Sequence, residues 1–174
     1  FDRGELVVFG GKGAVGCTVP ESAFCGDTWV YDGDSWRDAT PPSGEVPMRR
    51  ILHTMTYDSE RRQVLMYGGV SESVNECNPG RQYCGNTWVW DGATWSTVQA
   101  YDDGARPDDR RGHVMAYDPI LDKTILFGGH GAEVCDEDAG SELCSDTWQW
   151  TGTQWQEVGM GVSDPQPSGR EDAS

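Results

Sequence analysis

His130 is the side chain of this sequence best suited to proton transfer. It follows Gly128 and Gly129 directly, and among the three histidines it is the one without a counterpart at a repeated position. A histidine can act as a general base near neutral pH, but it needs a nucleophile or a partner acid within reach. The sequence around His130 identifies neither of them. We therefore favour a polar loop residue over a catalytic base, and we predict no catalytic residue.

A densely acidic segment, CDEDAGSELC, runs from Cys135 to Cys144 and is a candidate for calcium binding. Calcium binds through several oxygen ligands, which carboxylates supply. However, the acidic residues do not follow the spacing of an EF-hand loop, and the other two cysteine loops are not acidic in this way. We favour a solvated acidic loop over a calcium site, and we predict neither a metal nor another cofactor.

The six cysteines form three close pairs along the chain, and each pair precedes a tryptophan-rich segment. The pairs are Cys17 with Cys25, Cys77 with Cys84, and Cys135 with Cys144. Two thiols in a loop, with no further ligand nearby, make a poor zinc site. A local disulfide in each loop is the better interpretation, and it predicts an oxidising compartment: extracellular, periplasmic or cell-surface.

The charge of the chain excludes two classes of partner. The formal net charge is -16 and the sequence pI is about 4.3. Such a surface repels nucleic acid phosphates and anionic membranes. No apolar run approaches the roughly 18 residues of a membrane-spanning helix. The sequence has neither an initiator Met nor a signal-like start, so we expect a mature form or an excised piece.

A tryptophan-rich phrase occurs three times and explains how these loops are positioned. It reads GDTWVYDGDSW from Gly26, GNTWVWDGATW from Gly85 and SDTWQWTGTQW from Ser145, and Trp29, Trp88 and Trp148 are 59 to 60 residues apart. Each phrase predicts a β-hairpin whose turn contains glycine. Large aromatic residues two positions apart lie on one face of a strand and would fill the space between neighbouring sheets.

Two further strands precede each hairpin, so each repeat predicts a four-stranded sheet. HTMTYD (residues 53–58) and HVMAYD (residues 113–118) alternate large and small residues, whereas VLMYGG (residues 64–69) is apolar on both faces. The first repeat lacks the strand that should precede FDRGELVVFGG. A chain of such repeats predicts an all-β fold, a β-propeller of four-stranded blades.

Residues that recur at equivalent repeat positions are assigned structural roles, since a chemical site is normally unique. This applies to His53 and His113, and to the arginines at positions 50, 110 and 170. The arginines would converge near the axis of a ring and bind an anion there. We favour instead their pairing with backbone carbonyls or acids of the adjacent blade.

The order Arg, His, Tyr-Asp, Gly-Gly and two spaced tryptophans resembles the Kelch repeat. Beyond Tyr57, the matching residues are Arg50, His53, Gly68, Gly69, Trp88 and Trp95, with equivalents Arg110, His113, Gly128, Gly129, Trp148 and Trp155. The resemblance covers nearly the whole chain. It implies a propeller that binds a protein or a carbohydrate, while the paired cysteines are a departure that indicates a secreted branch rather than a cytosolic adaptor of a ubiquitin ligase.

The resemblance also includes enzymes, so the alternatives stay open. A copper radical oxidase needs two histidines and a Tyr-Cys pair at one end, which this sequence does not offer. The propeller portion of a carbohydrate-active enzyme of the mutarotase type needs fewer special residues. A third alternative is a propeller fragment that only assembles. We expect a binding scaffold rather than an enzyme.

The chain carries about three blades, in units of roughly 1–47, 48–107 and 108–174, with one blade split between the termini. A propeller typically has four to eight blades. We therefore expect two chains to associate head to tail as a homodimer that closes a six-bladed ring, or the chain to be part of a longer propeller.

The cysteine loops and the connections between blades should lie on one face of the propeller, which we call the loop face. Binding residues gather in irregular loops on a rigid scaffold. The candidates that we predict there are Glu76, Arg81, Tyr83, Tyr101, Asp103, Arg106, His130, Glu133 and Asp136.

Overall fold

The secondary structure in the computed structural model consists of β-strands. The structure describes residues 4–13, 17, 23–72, 74, 77, 80–100, 104–132, 135, 142–159 and 167–170. Within these ranges there are thirteen strands and no helix. The predicted all-β class is confirmed.

The first blade is a three-stranded antiparallel sheet. It contains β1 (Leu6–Phe9), β2 (Thr28–Tyr31) and β3 (Trp36–Asp38), in that order. In the described part of the chain, β1 is therefore an edge strand. This matches the missing strand that the sequence of the first repeat predicts.

The second blade is a complete four-stranded meander. It contains β4 (Thr54–Asp58), β5 (Gln63–Tyr67), β6 (Thr87–Trp90) and β7 (Trp95–Gln99), in sequential order. All three pairings are antiparallel. The four-stranded blade predicted from the repeat is confirmed here.

The third blade repeats this meander and adds a short ribbon at its entrance. The ribbon strand β8 (Arg110–Arg111) precedes β9 (Val114–Asp118) and β10 (Lys123–Phe127). After these come β11 (His130–Gly131), which pairs with β8, and then β12 (Thr147–Trp150) and β13 (Trp155–Glu157), which complete the blade.

The hairpin turns form as their Asp-Gly sequence predicts. In the second blade the Asp91 amide donates to the Thr94 carbonyl oxygen, and Gly92 has a φ of 103°. The Asp91 side chain accepts from the amides of Ala93 and Thr94. Glycine supplies the left-handed backbone here at no steric cost, and the aspartate satisfies the turn amides.

Strand β5 is buried on both faces and thereby joins the three blades. Val64 and Met66 pack toward the first blade, in a core with Phe9 and Trp88. Their neighbours Leu65 and Tyr67 pack toward the third blade, in a core with Trp150 and Trp155. The tryptophans therefore fill the space between successive blades, as predicted.

Two arginines secure the crossing from one blade to the next. The Arg50 carbonyl oxygen accepts from the Gly11 amide of the first blade, while its guanidinium donates to the Gly68 carbonyl of the second. Arg110 repeats this arrangement one blade later, with the Gly69 amide and the Gly128 carbonyl. We predict side-chain acceptors in the adjacent blade, and this is wrong, because the acceptors of both guanidinium groups lie in the arginine's own unit. The backbone carbonyl, and not the side chain, is the group that reaches back to the adjacent blade.

The recurring histidines pack against the preceding blade. The ring of His113 meets Tyr67 edge-on at 5.6 Å, and its Nε2 lies 2.6 Å from the Thr54 hydroxyl. His53 meets Phe9 in the same way at 5.7 Å. Burial, with the nearby Arg110, lowers the pKa of His113 to about 3, so the ring is neutral at physiological pH.

A charged contact links the second and third blades on the face opposite the cysteine loops. The Arg61 guanidinium makes a two-point ion pair with Asp122, at 2.6 and 2.9 Å. The hydrogen bonds from Arg61 and from the Tyr117 hydroxyl lower the pKa of Asp122. The two blades are thus held together at both ends of their shared core.

Disulfides close all three loops. They join Cys17 to Cys25, Cys77 to Cys84 and Cys135 to Cys144, and no free cysteine stands among the described residues. Stable structural disulfides indicate an oxidising, non-cytosolic compartment. No helix in the described ranges is long and apolar enough to cross a membrane.

Candidate functional site

Paired glycines direct the chain from each inner strand into its cysteine loop. Gly69 and Gly129 both have a φ of 97°. A Cβ on Gly69 would meet the Ile51 carbonyl oxygen at 2.7 Å, so only glycine fits the crossing chain. Each glycine carbonyl then accepts from the last cysteine amide of its loop, Cys84 or Cys144, at 2.9 Å. The two loops are therefore anchored to the blades in the same way.

The ribbon of β8 and β11 brings side chains of two blades together on the loop face. Arg111 and His130 are opposite each other in the ribbon. The Arg111 guanidinium lies 5.9 Å from the centre of the Tyr83 ring, and its Nε donates to the Tyr83 hydroxyl at 3.2 Å. The imidazole of His130 stacks on the same tyrosine, with ring centroids 6.2 Å apart. We call Tyr83, Arg111, His130 and Glu142 the tyrosine cluster.

Hydrogen-bond contacts connect the members of the tyrosine cluster in a line. The Tyr83 hydroxyl accepts from Arg111 and lies 3.3 Å from Nδ1 of His130, while Nε2 of His130 lies 3.1 Å from a Glu142 carboxylate oxygen. Nδ1 of His130 also lies 3.1 Å from the Gly131 carbonyl oxygen, so this nitrogen contacts both the tyrosine hydroxyl and the ribbon backbone. The cluster is thus a continuous line of hydrogen bonds ending in an exposed carboxylate.

A second group of charged side chains lies beside the ribbon. Arg106 donates to Asp109 at 2.8 Å and to the Pro107 carbonyl at 3.0 Å, and it lies 3.4 Å from the Tyr67 hydroxyl. Arg81 approaches the other oxygen of Asp109 at 4.0 Å. Burial opposes the charge of Arg106, but the pKa of the guanidinium is raised because Tyr67 and Asp109 stabilise the cation. We call Arg81, Arg106 and Asp109 the arginine cluster.

Gly85 provides the space that the arginine cluster occupies. A Cβ at this position would overlap the Asp109 carboxylate and the Arg106 guanidinium. The first residue of the tryptophan phrase in the second blade is therefore glycine for a local reason. The ion pair packs directly on the backbone of the second blade while its residues come from the connection to the third.

Four of the predicted loop-face residues are thus brought together at the junction of the second and third blades. They are Arg81, Tyr83, Arg106 and His130. Outside the described residues lie Glu76, Tyr101, Asp103, Glu133 and Asp136. The acidic segment proposed and disfavoured as a calcium site also lies mostly outside them. In the part of the chain that the structure describes, no three His, Cys, Asp or Glu side chains are grouped to hold a metal ion.

The sequence did not identify three residues of the site, namely Asp109, Arg111 and Glu142. A signal was present for Arg111, which follows the recurring Arg110, whereas Ile51 follows Arg50 in the preceding repeat. An unrepeated charge beside a repeated residue marks a position that the scaffold itself does not require. No comparable signal exists for Glu142, since its contact depends on how the cysteine loop folds back.

The arrangement offers surface chemistry suited to recognition. A tyrosine ring in contact with both an arginine and a histidine is amphipathic and rich in hydrogen-bonding groups. The side chains of Arg81 and Glu142 are 42% and 59% exposed, so charges of both signs stand at the rim. Tyr83, His130 and Glu142 are also side chains that can carry a proton.

Comparisons with known proteins agree with this architecture. The sequence model of the KLHDC2/KLHL20/DRC7 Kelch-repeats domain matches residues 2–174. Among solved structures, the chain is similar to one titled "Structure of YjhT", with a TM-score of 0.53 and 15% sequence identity. That alignment covers 85% of this chain but 41% of the other, so the chain spans less than half of that structure's length. At this identity the likeness shows the fold alone. No curated protein matches the chain.

Proposed function

Because this chain belongs to the Kelch-repeat family, we propose that it is an interaction scaffold that binds a protein or a carbohydrate through its loop face. The observation that carries the proposal is the tyrosine cluster, in which Tyr83 of the second blade stacks on His130 of the third. Its side chains are held by β-ribbon pairing and by hydrogen bonds, so little ordering is needed when a ligand binds. Tyrosine and arginine are also the residues that dominate binding energy at interfaces.

The charge distribution supports a polar ligand. The chain as a whole carries a formal charge of -16, yet three arginines lie around the ribbon on the loop face. Charged groups of both signs at this position favour a polar ligand that can hydrogen-bond to them. A sugar would stack on the tyrosine ring and hydrogen-bond to the arginines, while a peptide would use the same groups.

The compartment follows from the disulfides. In a cytosol the disulfides that close the three loops would be reduced, and the loop face would lose this anchoring. We propose an extracellular, periplasmic or cell-surface location, where the scaffold meets ligands outside the cytoplasm.

Self-association of two chains into a six-bladed ring completes the proposed scaffold. Three blades leave the outer surfaces of the first and third blades uncovered in the described chain. Exposed blade surfaces of this kind are normally buried against another blade. Two copies related by a two-fold axis would cover both surfaces at once.

Binding through the loop face is tested by screening the immobilised protein against a glycan array and a random peptide library. We expect bound probes to lose affinity by about tenfold or more for Tyr83→Ala, because the central ring of the cluster is removed. Tyr83→Phe separates stacking from hydrogen bonding. The control is Arg37→Ala, an exposed arginine on β3 of the first blade. Probes that bind equally to all of these variants, or no bound probe at all, would contradict the proposal.

A second candidate function is favoured by the hydrogen-bonded line from Tyr83 through His130 to Glu142. Such a line can move a proton, which is what the interconversion of sugar anomers requires. The chain would then be the propeller portion of a mutarotase-like enzyme. NMR exchange spectroscopy on a panel of reducing sugars tests this: acceleration that His130→Gln abolishes supports the enzyme, and inertness toward the panel leaves the binding scaffold.

A further inference from the structure

The outer face of the first blade copies a surface that is buried elsewhere in the molecule. Its exposed apolar residues correspond, position by position, to residues of the second blade that lie under the first. Exposed fractions are 55% for Leu6, 40% for Val8 and 50% for Trp36, against 5%, 0% and 3% for their counterparts Val64, Met66 and Trp95. The first blade thus presents an interblade surface without its cover.

In the two blade junctions within the chain, an aromatic residue of one blade covers a tryptophan of the blade that follows. Phe9 lies edge-on against Trp95 at 5.2 Å, and its counterpart Tyr67 lies in the same way against Trp155 at 5.3 Å. The next member of this series is Phe127, at the end of β10, and it is half-buried on the outer face of the third blade. The two outer faces of one chain therefore carry the two halves of the same kind of contact.

Arg170 marks the polar part of this missing junction. Its carbonyl oxygen accepts from the Gly129 amide at 2.8 Å, and its Nε donates to the Ser168 carbonyl at 3.1 Å. Arg50 and Arg110 make the corresponding bonds. These two guanidinium groups are fully buried and donate to the blade of their own unit, which follows them in the chain, whereas Arg170 is exposed.

The two acceptors of the Arg110 guanidinium have counterparts in the first blade. Arg110 donates to the carbonyl of Gly128 and to the carboxylate of Asp146. The corresponding residues of the first blade are Gly10, which also precedes a second glycine, and Asp27. Asp27 is buried and orients Trp29 by accepting from its indole nitrogen at 2.7 Å, as Asp146 does for Trp148.

We propose that Arg170 of one copy enters the first blade of a second copy and donates to the Gly10 carbonyl and the Asp27 carboxylate. This rests on the self-association proposed above and specifies its contact. The occupant is a second copy because the chain's own outer faces match as its internal blade junctions do, in both apolar cover and charge. Two such contacts, related by the two-fold axis, close a six-bladed ring.

Sedimentation velocity over a concentration series, in non-reducing buffer, tests the contact. We expect wild-type protein to dimerise, and Arg170→Ala to raise the dissociation constant by about tenfold or more, because a buried charge pair is lost at both junctions. Arg170→Lys should give a smaller increase, since lysine cannot make the two-point contact. Asp27→Asn should weaken association as well, and combining it with Arg170→Ala should add little.

Arg37→Ala is the matched control. It removes an exposed arginine from the first blade, which carries Asp27, at a position outside the proposed junction. Because Arg170 is exposed in the single chain, its replacement should leave the melting temperature of the dilute protein unchanged. A wild-type dimer whose dissociation constant is the same for Arg170→Ala would overturn the contact and leave self-association standing. A wild-type protein that stays monomeric at every concentration would overturn self-association, and the contact with it.

Discussion

Arg110 and Asp146 form a two-point ion pair, with nitrogen–oxygen distances of 2.6 and 2.7 Å, in the core of the third blade. The same carboxylate accepts from the Trp148 indole at 2.6 Å. Burial alone would raise the pKa of Asp146, but the bonds from Arg110 and Trp148 outweigh it, and the pKa is lowered. In the second blade the equivalent acid is replaced by Asn86, which accepts a single bond from Arg50.

Replacing Asn86 by Asp should stabilise the protein. In the described structure Nη2 of Arg50 and Nε1 of Trp88 are buried without a hydrogen-bond acceptor, and burial lowers the pKa of Arg50 to about 9. A carboxylate at position 86 would accept from both and neutralise the buried cation. We expect a gain of about 1–2 kcal/mol in the free energy of unfolding, measured by urea denaturation. Asp146→Asn is the reciprocal control and should destabilise. A loss of stability for Asn86→Asp would show that the site cannot accommodate the second oxygen in this way.

The free energy of unfolding should decrease on acidification at pH values well above those at which carboxylates titrate. His113 has a pKa of about 3 in the folded protein against 6.5 as its ordinary value. Between these two values the unfolded chain binds a proton that the folded chain excludes, so the free energy of unfolding decreases as the pH falls. The slope is about 1.4 kcal/mol per pH unit for one such group, and it vanishes above pH 6.5.

Urea denaturation at several pH values between 6.5 and 4.5 measures this slope. The pKa of His53 is likewise lowered to about 3, chiefly by burial, so His53 should contribute to the slope by a comparable amount. His113→Gln and His53→Gln should therefore each flatten the profile, and the double variant should flatten it further. A profile of the wild-type protein that is already flat in this window would contradict a neutral, buried His113.

Gly68→Ala should destabilise the protein by more than backbone strain alone. Gly68 has a φ of 70°, and a Cβ there would lie 2.6 Å from both the Arg110 carbonyl oxygen and the His113 ring. Left-handed backbone costs a residue with a side chain about 1–2 kcal/mol, and overpacking adds about 1–3 kcal/mol. Gly4 also has a φ of 70° but no atom within 4 Å of its Cβ position, so Gly4→Ala isolates the strain. Equal changes in melting temperature for the two variants would refute the close approach at Gly68.

Removing one disulfide should cost stability and loosen the loop face locally. Cys77 and Cys84 close a loop with a sequence separation of 7, for which the chain-entropy account gives about 2–3 kcal/mol. A Cys77→Ser/Cys84→Ser double variant should also show faster amide exchange at Arg81 and Tyr83 than the wild-type protein does. Cys17→Ser/Cys25→Ser, in the first blade, is the matched control and should leave exchange at these two positions unchanged. Unaltered exchange in the first variant would mean that the β-bridge between Val70 and Tyr83 holds the loop alone.

The sequence predicted the blades well because each is encoded by local patterns. Gly68-Gly69, the spacing of Trp88 and Trp90, and the turn at Gly92 each depend on residues close in the chain. The site was predicted less completely, since its contacts cross between blades. The contact of Arg111 with Tyr83 depends on how the backbone crosses between blades at Arg110. The structure shows this crossing, and the sequence pattern does not. Likewise, that Asn86 accepts one hydrogen bond where Asp146 accepts two could be recognised only from the geometry of the Arg110–Asp146 pair.

The proposed ring requires that the outer faces of the first and third blades be two halves of one junction. The most direct measurement is the solution mass by light scattering during size exclusion, in non-reducing buffer and over a range of loading concentrations. We expect about twice the chain mass of 19.1 kDa, as two three-bladed chains close one ring. A mass of 19.1 kDa at every concentration would contradict it, because the faces that carry Trp36 and Phe127 would then remain uncovered.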